Sequence, residues 1–180
     1  GFLHESEMMI RAGNQSVAEM ASDPLLYDAG SIIEAAWTAS ERDSDPEKIA
    51  LMLNDPDAGV RFWGLNAVAN SDELKGLLRT GIQELMDDPS PGCAILAAEL
   101  GIIRGIHSEK AYRVLTKYLK DERPWVVLNA AISVRRIGEK VRPILPFVKE
   151  KVQHYYGDKG AGYSSWLYPM FIGFALDQAI

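Results

Sequence analysis

Apolar and polar residues alternate with a helical period along most of the chain, most clearly in the segment 55–70. Val60, Gly64, Ala67 and Val68 lie there at positions i, i+4, i+7 and i+8, which places them on one face of a helix. Glycine is costly inside a helix unless a neighbouring element comes too close for a side chain. The pattern therefore predicts a helix that packs closely against another helix at Gly64.

Asp55 and Pro56 mark the start of this helix in the sequence. An aspartate side chain accepts hydrogen bonds from the free amides of a first helical turn, and proline needs no amide partner at the first helical position. The sequence thus predicts that Asp55 caps a helix that begins at Pro56.

The same combination of an aspartate and a nearby proline recurs with a period of 33 residues. Asp55, Asp88 and Asp121 are each followed, one or three residues later, by a proline and then by an apolar helical segment. The alignment of the three segments superposes two sets of residues: Val60 with Cys93 and Val126, and Gly64 with Ala97 and Ala130. A small residue therefore recurs where helices would pack closely. A period of this size predicts stacked helical hairpins, which build an α-α superhelix.

The expected fold class is all-α, with an N-terminal arm and about four hairpins. Residues 1–43 would form the arm and a junction helix. Residues 44–180 would form one continuous domain with hairpins at 44–70, 71–105, 107–138 and 139–178. The first helices of the first three hairpins each show a single apolar stripe: Ile49, Met52 and Leu53; Leu74, Leu77, Leu78, Ile82 and Leu85; Ala111, Leu115, Tyr118 and Leu119.

The fourth hairpin has two irregular features. Pro143 and Pro146 lie near its start, so its first helix should be kinked or begin late. A glycine-rich loop at 155–165 precedes a last helix at 166–178 that is apolar on most sides. Such a helix requires burial, either under its own repeats or against another molecule.

Composition narrows the range of functions. The 180 residues are 47% hydrophobic, enough for a core of ordinary size, and 19 basic against 25 acidic residues give a net charge of −6. A general binder of the nucleic-acid backbone is disfavoured because such proteins depend on dense Lys and Arg. The sequence has no run of 18 apolar residues, so we expect no membrane insertion.

The residues that most often carry chemistry do not form a recognisable site. The three histidines are scattered without metal-ligand spacing, and the single cysteine, Cys93, is expected in the core because its repeat equivalents are valines. The pair Asp87 and Asp88 could bind a hard cation, but helix termination by Asp87 and helix capping by Asp88 explain it better. We expect no catalytic residue, no metal and no cofactor.

A set of mostly basic residues on the second helices of the hairpins is the candidate partner-binding surface: Arg61, Trp63, Arg104, Arg135 and Arg136. Second helices commonly line the concave face of such stacks, where a basic strip could receive an anionic segment or sugar. The structural alternative is favoured. Arg61 would pair with Asp88 or another carboxylate of the next repeat, and Arg135 and Arg136 would lie near a helix C-terminus that favours cations.

Two stretches resemble a known family: FLHESEMMIRAGNQSVAEMASDPLLYD at residues 2–28, and SIIEAAWTASERDSDPEKIALMLNDPDAGVRFWGL at residues 31–65. They resemble the junction helix and the first HEAT hairpin of the helical C-terminal region that follows the catalytic domain in many bacterial sulfatases. The second half is similar only to generic HEAT repeats. The resemblance implies a HEAT/ARM-like accessory domain that contacts its own catalytic domain or another protein, in the periplasm or secreted.

The catalytic chemistry of that family is not part of the resemblance. Its active site needs a Cys/Ser-x-Pro-x-Arg motif, whose first residue becomes formylglycine, together with calcium-binding carboxylates. Residues 44–48 read Ser-Asp-Pro-Glu-Lys, and Cys93 is followed by Ala-Ile-Leu, so neither matches. We therefore expect no enzymatic activity in this chain, although a longer parent chain would be a sulfuric ester hydrolase.

Two alternatives remain beside an accessory domain. The first is an independent HEAT-type scaffold that binds a protein on its concave face. The second is an enzyme such as a helical-repeat glycosylase or lyase, which is supported only by analogy with other proteins of this fold class. The oligomeric state stays open.

Overall fold

A computed structural model of the chain describes residues 3–41, 45–71, 74, 79–157 and 167–180. The described residues form helices joined by turns, with no strand among them, which confirms the all-α class. Contacts divide the chain into two compact units, 1–97 and 98–180.

Helices α1 to α6 belong to the first unit: α1 Glu5–Ala12, α2 Val17–Ala21, α3 Ala29–Ser40, α4 Pro46–Leu53, α5 Ala58–Asn70 and α6 Arg79–Leu85. Helix α7, Pro91–Arg104, begins in this unit and ends in the second. Helix α5 packs against both α3 and α4, and α1 packs against α2. The core of this unit includes Ile32, Ile49, Leu65 and Val68, all fully buried.

The second unit contains the remaining helices: α8 Ser108–Tyr118, α9 Pro124–Ile137, a 3-10 helix Gly138–Ile144, α10 Leu145–Gly157 and α11 Leu167–Asp177. Helix α11 packs against α9 and α10, and α8 packs against α9. Its core includes Leu115, Val134, Val148 and Leu176.

The predicted close contact at Gly64 is present in the structure. A Cβ atom at Gly64 would lie 3.2 Å from the backbone nitrogen of Leu53 and 3.2 Å from Cβ of Met52. Helices α4 and α5 therefore approach each other so closely that even a methyl group there would require the neighbouring atoms to shift. The repeat equivalents Ala97 and Ala130 are also fully buried.

Several predicted helix starts need correction. Helix α5 begins at Ala58 with Asp57 as its N-cap, whose Oδ1 accepts from the amide of Gly59 at 2.6 Å. Asp55 is therefore not the cap, and Pro56 lies in the preceding turn. Asp87 likewise lies beyond the end of α6 at Leu85, and α7 begins only at Pro91, so Asp88 precedes the helix start by three residues.

The irregular start of the fourth hairpin follows the prediction. Pro143 lies inside the 3-10 helix, and the α-helix begins late, at Leu145. Residues 155–157, which the sequence predicts to lie in a loop, belong to the end of α10, and residues 158–165 of that loop lie outside the described residues. The last helix buries Ile172, Ala175 and Leu176, whereas its opposite face is exposed.

Candidate functional site

The three aspartates of the 33-residue period make the same local contact. In each, Oδ1 accepts a hydrogen bond from the amide two residues later, and a helix begins one residue after that amide. The bonds are Asp55 with Asp57 at 2.8 Å, Asp88 with Ser90 at 2.7 Å, and Asp121 with Arg123 at 2.9 Å. The aspartate thus orders the turn that leads into the second helix, instead of capping the helix itself.

Arg61 and Asp88 form a bidentate ion pair between α5 and the turn before α7. Nε of Arg61 donates to Oδ2 of Asp88 at 2.7 Å, and Nη2 donates to Oδ1 at 2.9 Å. Nη1 donates to the backbone carbonyls of Asp55 and Pro56, each at 2.8 Å. The hydrogen bond with Asp88 raises the pKa of Arg61. Arg61 therefore fulfils the structural alternative and joins the turns of two successive repeats.

Arg11 on α1 forms a second pair of this kind within the first unit. Its Nη1 and Nη2 donate to Oδ2 and Oδ1 of Asp57 at 3.0 and 2.8 Å, and Nε donates to Glu7 at 2.9 Å. Nη1 also donates to the carbonyl of Leu26 at 3.0 Å. Burial is the largest single effect on the pKa of Asp57 and raises it, but the hydrogen bonds and charge of Arg11, together with the amides of Gly59 and Val60, outweigh burial and lower that pKa. The N-cap of α5 is thus held by the N-terminal arm.

Glu7 and Ser90 connect the two pairs. The hydroxyl of Ser90 donates to Oε2 of Glu7 at 2.6 Å, while the backbone amide of Ser90 donates to Asp88. We call the connected set the junction network: Glu7, Arg11, Asp57, Arg61, Asp88 and Ser90. It ties α1 of the arm to the turns before α5 and α7; Glu7, Asp88 and Ser90 are buried, and the other three members are partly buried.

The junction network is poorly suited to acid–base chemistry. Asp57 and Asp88 each receive a bidentate guanidinium and a backbone amide, and Glu7 receives a guanidinium and a hydroxyl. A general base needs an oxygen that can take a proton from substrate, and these oxygens already accept hydrogen bonds inside the protein. The network therefore stabilises the junction between arm and repeats.

Glu99 on α7 is a buried carboxylate in the second unit. Its Oε2 accepts from the hydroxyl of Ser133 on α9 at 2.6 Å, and Nη1 of Arg136 lies 3.7 Å from the same oxygen. Burial is the largest cause of a raised pKa at Glu99, and the contacts with Ser133 and Arg136 only partly oppose it. Glu99 and Ser133 link α7 to α9 in place of an apolar contact.

Cys93 is buried at the start of α7, as the sequence predicted. Its thiol donates to the carbonyl of Ala58 at 3.2 Å, and burial raises the pKa of Cys93 far above that of a reactive thiol. Cys93 is therefore a core residue.

The candidate partner-binding residues are distributed over both units. Trp63 is partly exposed and makes an edge contact with Phe62, at 6.0 Å between ring centroids. Burial lowers the pKa of Arg104 on α7. Nη1 of Arg135 donates to Oε1 of Gln178 at 3.1 Å, and Arg136 faces Glu99. Of the predicted set, Arg61 and Arg136 are engaged with carboxylates, and Arg135 keeps an exposed guanidinium.

The sequence predicts the Arg61–Asp88 pair of the junction network, but neither its contacts with Glu7, Arg11, Asp57 and Ser90 nor the buried position of Glu99. Glu7 and Arg11 have the i, i+4 spacing of a helical ion pair, which was a usable local signal. Glu99 interrupts an otherwise apolar stretch of α7, CAILAAELGII, and a lone carboxylate in such a stretch signals a buried polar contact. The partners of Glu7 and Arg11, and those of Glu99, come from distant segments of the chain, which no local spacing identifies.

Other kinds of site find no support in the described residues. None of their His, Cys, Asp and Glu side chains form a group of three that could hold a metal ion. No described helix combines the length and apolar character needed to cross a bilayer. Comparisons with protein-family models, with curated proteins and with solved structures found no match.

Proposed function

We propose that this chain is a non-catalytic, HEAT-like helical domain that acts through protein contacts. The observation that best supports the proposal is the repeated turn at Asp55, Asp88 and Asp121. Each is followed three residues later by a helix and nine residues later by a buried small residue. Three copies of one turn-and-contact pattern at a fixed period are typical of stacked helical hairpins.

The more specific form of the proposal is an accessory domain that follows the catalytic domain of a sulfatase. The resemblance of residues 2–28 and 31–65 to that family's junction region suggests it. The junction network adds physical support, since Arg11 and Glu7 fix α1 to the first two repeat turns. An arm held in this way would transmit the position of a preceding domain to the repeats, whereas a flexible linker would not.

A stand-alone interaction scaffold is the second candidate. The exposed indole of Trp37 on α3 and the exposed apolar face of α11 favour it. Large apolar side chains that face solvent on regular helices are typical of surfaces that bind other proteins.

The reading frame upstream of Phe2 decides between the two candidates. An accessory domain requires an alkaline-phosphatase-like sulfatase domain with a Cys/Ser-x-Pro-x-Arg motif in that frame. If another kind of sequence precedes Phe2, the sulfatase form of the proposal is wrong, and the scaffold remains.

Where the upstream domain is present, its contact with this chain can be measured. We expect the separately expressed catalytic domain and this chain to co-elute in size-exclusion chromatography. Arg11→Met should weaken the complex by loosening the arm, and the exposed-site variant Leu51→Ser should not. Elution of the two polypeptides apart at all concentrations tested would refute a packed accessory domain.

A further inference from the structure

The two units of the chain differ strongly in charge. Residues 1–97 contain six Lys and Arg against 17 Asp and Glu, a formal charge of −11. Residues 98–180 contain 13 against eight, a formal charge of +5. Surfaces of opposite sign steer proteins towards one another and are attractive at low salt.

The acidic unit exposes one large aromatic side chain on α3. Trp37 is 69% exposed, and Glu34 and Glu41 lie one turn before it and one turn after it, both exposed. Among the described residues, Glu34 makes a long ion-pair contact with Lys48, 3.8 Å between Nζ and Oε1. We call Glu34, Trp37 and Glu41 the α3 face. Tryptophan contributes strongly to binding when it becomes buried, so an exposed Trp between carboxylates is a candidate anchor for a basic, apolar partner surface.

The basic unit exposes a matching surface on α11. Phe171 and Phe174 are 47% and 49% exposed, and Met170 lies beside them. Gln178, one turn beyond Phe174, accepts from the exposed Arg135 of α9 at 3.1 Å, and Asp177, also one turn beyond Phe174, is an exposed carboxylate on the same side of α11. Within the described chain, no carboxylate lies within ion-pair distance of Arg135. We call Met170, Phe171, Phe174 and Arg135 the α11 face.

We infer that the α11 face of one copy of this chain binds the α3 face of a second copy. The aromatic rings of α11 would cover Trp37, and the guanidinium of Arg135 would lie near Glu34 or Glu41. The opposite formal charges of the two units, and an apolar centre beside Arg135 on one face and beside two carboxylates on the other, identify the second copy as the occupant. The inference rests on these two faces alone and does not depend on a sulfatase origin.

The two faces differ from each other, so the contact is heterologous. Each added copy brings one further α3 face and one further α11 face, so the assembly grows until a ring closes, or continues as an open chain if the geometry closes no ring. A contact of two helix faces is small, so the association should be weak and should depend on concentration. Salt should weaken it several-fold between about 50 mM and about 500 mM, because the Debye length falls from about 14 Å to about 4 Å.

Two single variants test the contact by complementation in sedimentation velocity. Trp37→Ser removes the anchor of the α3 face, and Phe171→Glu places a carboxylate in the α11 face. Each variant alone should lose self-association by about tenfold or more, since a buried aromatic anchor commonly accounts for that much affinity. Both positions are exposed, so the variants should keep the far-UV circular dichroism and cooperative melting of the wild type.

A mixture of the two variants gives the decisive result. The Trp37→Ser chain keeps its α11 face and the Phe171→Glu chain keeps its α3 face, so the mixture should form a 1:1 dimer that does not grow. If the contact instead joined two identical faces, one of the variants alone would still dimerise, and the inference would be overturned. A wild-type chain that remains a single copy at low salt and high concentration would also overturn it.

Two further variants separate the proposed contact from general surface effects. Arg135→Glu should weaken self-association and reduce its salt dependence, whereas Lys149→Glu, another exposed cation in the second unit, should change both less. Leu51→Ser removes an exposed apolar side chain outside both faces and should leave self-association unchanged. Equal effects of Arg135→Glu and Lys149→Glu would contradict the assigned role of Arg135.

Discussion

Replacement of Arg61 by methionine should be one of the most destabilising single changes at a charged residue in this chain. Methionine keeps the unbranched stem and removes the guanidinium. The side chain of Asp88 is only 2% exposed and that of Arg61 only 12%. Among the described residues, loss of Arg61 leaves the buried carboxylate with the amide of Ser90 as its remaining donor. Removal of one partner from a buried pair costs about 3–5 kcal/mol, and the Ser90 bond favours the lower end of that range.

Arg123→Met is the matched control. Arg123 pairs with Asp121, the repeat equivalent of Asp88, at 2.8 Å through both Nε and Nη2. Its side chain is 41% exposed, and its partner is only two residues away. Water replaces much of what such a pair provides, so the loss should stay below about 1 kcal/mol. Both variants remove a guanidinium that pairs with a repeat aspartate, so the difference between their costs in stability measures the effect of burial.

A double-mutant cycle with Asp88→Asn isolates the interaction itself. Asparagine still accepts from the amide of Ser90 but carries no charge, so Arg61→Met should cost less in that background. The expected coupling is about 1–3 kcal/mol, measured by urea denaturation followed by far-UV circular dichroism. Equal costs for Arg61→Met and Arg123→Met, together with no coupling in the cycle, would refute the argument that Arg61 supports a buried carboxylate.

Three other predictions follow from the packing and the buried polar groups. Gly64→Ala should be neutral or cost up to about 2 kcal/mol, because overpacking against α4 offsets the gain of about 1 kcal/mol in helix propensity. Gly64→Leu should cost about 1–3 kcal/mol or more. Gly30→Ala, at an exposed site in α3, should instead stabilise the protein in the same denaturation assay. Glu99→Gln should raise the free energy of unfolding at about pH 7, and this advantage should disappear towards about pH 4. Burial raises the pKa of Glu99 above its ordinary 4.5, so the wild-type native state loses stability as pH rises through the raised pKa. A difference between the two proteins that does not depend on pH would contradict this. Cys93 should react with a thiol reagent only as fast as the protein opens, so labelling as fast as that of a free thiol in the native protein would exclude its burial.

The helical period and the repeat could be predicted from the sequence because both depend on local spacing. The apolar positions at Ile49, Met52 and Leu115 are buried, and the small residue at Gly64 marks a real close approach. These features repeat with the turn of the helix or with the 33-residue period. A single chain therefore displays them without any knowledge of tertiary contacts.

The start of α5 was placed wrongly because DPDAG contains two aspartates with the chemistry of a cap. The structure uses both: Asp55 orders the turn, and Asp57 caps the helix while it binds Arg11. The choice between them depends on α1, which lies 46 positions earlier in the chain at Arg11. Propensity cannot rank two aspartates when a distant guanidinium determines their roles.

The arginine that pairs with a repeat aspartate lies at a different spacing in different repeats. Arg61 lies six residues after Asp55 and reaches the next aspartate of the period, Asp88. The equivalent of Arg61 one period later is Ala94, which offers no donor, and Asp121 takes its guanidinium from Arg123 instead. An arginine at the sixth position after a repeat aspartate thus predicts a buried pair between repeats, and an arginine at the second position predicts an exposed local pair. The difference in stability between the two variants proposed above is the energetic consequence of that choice of position.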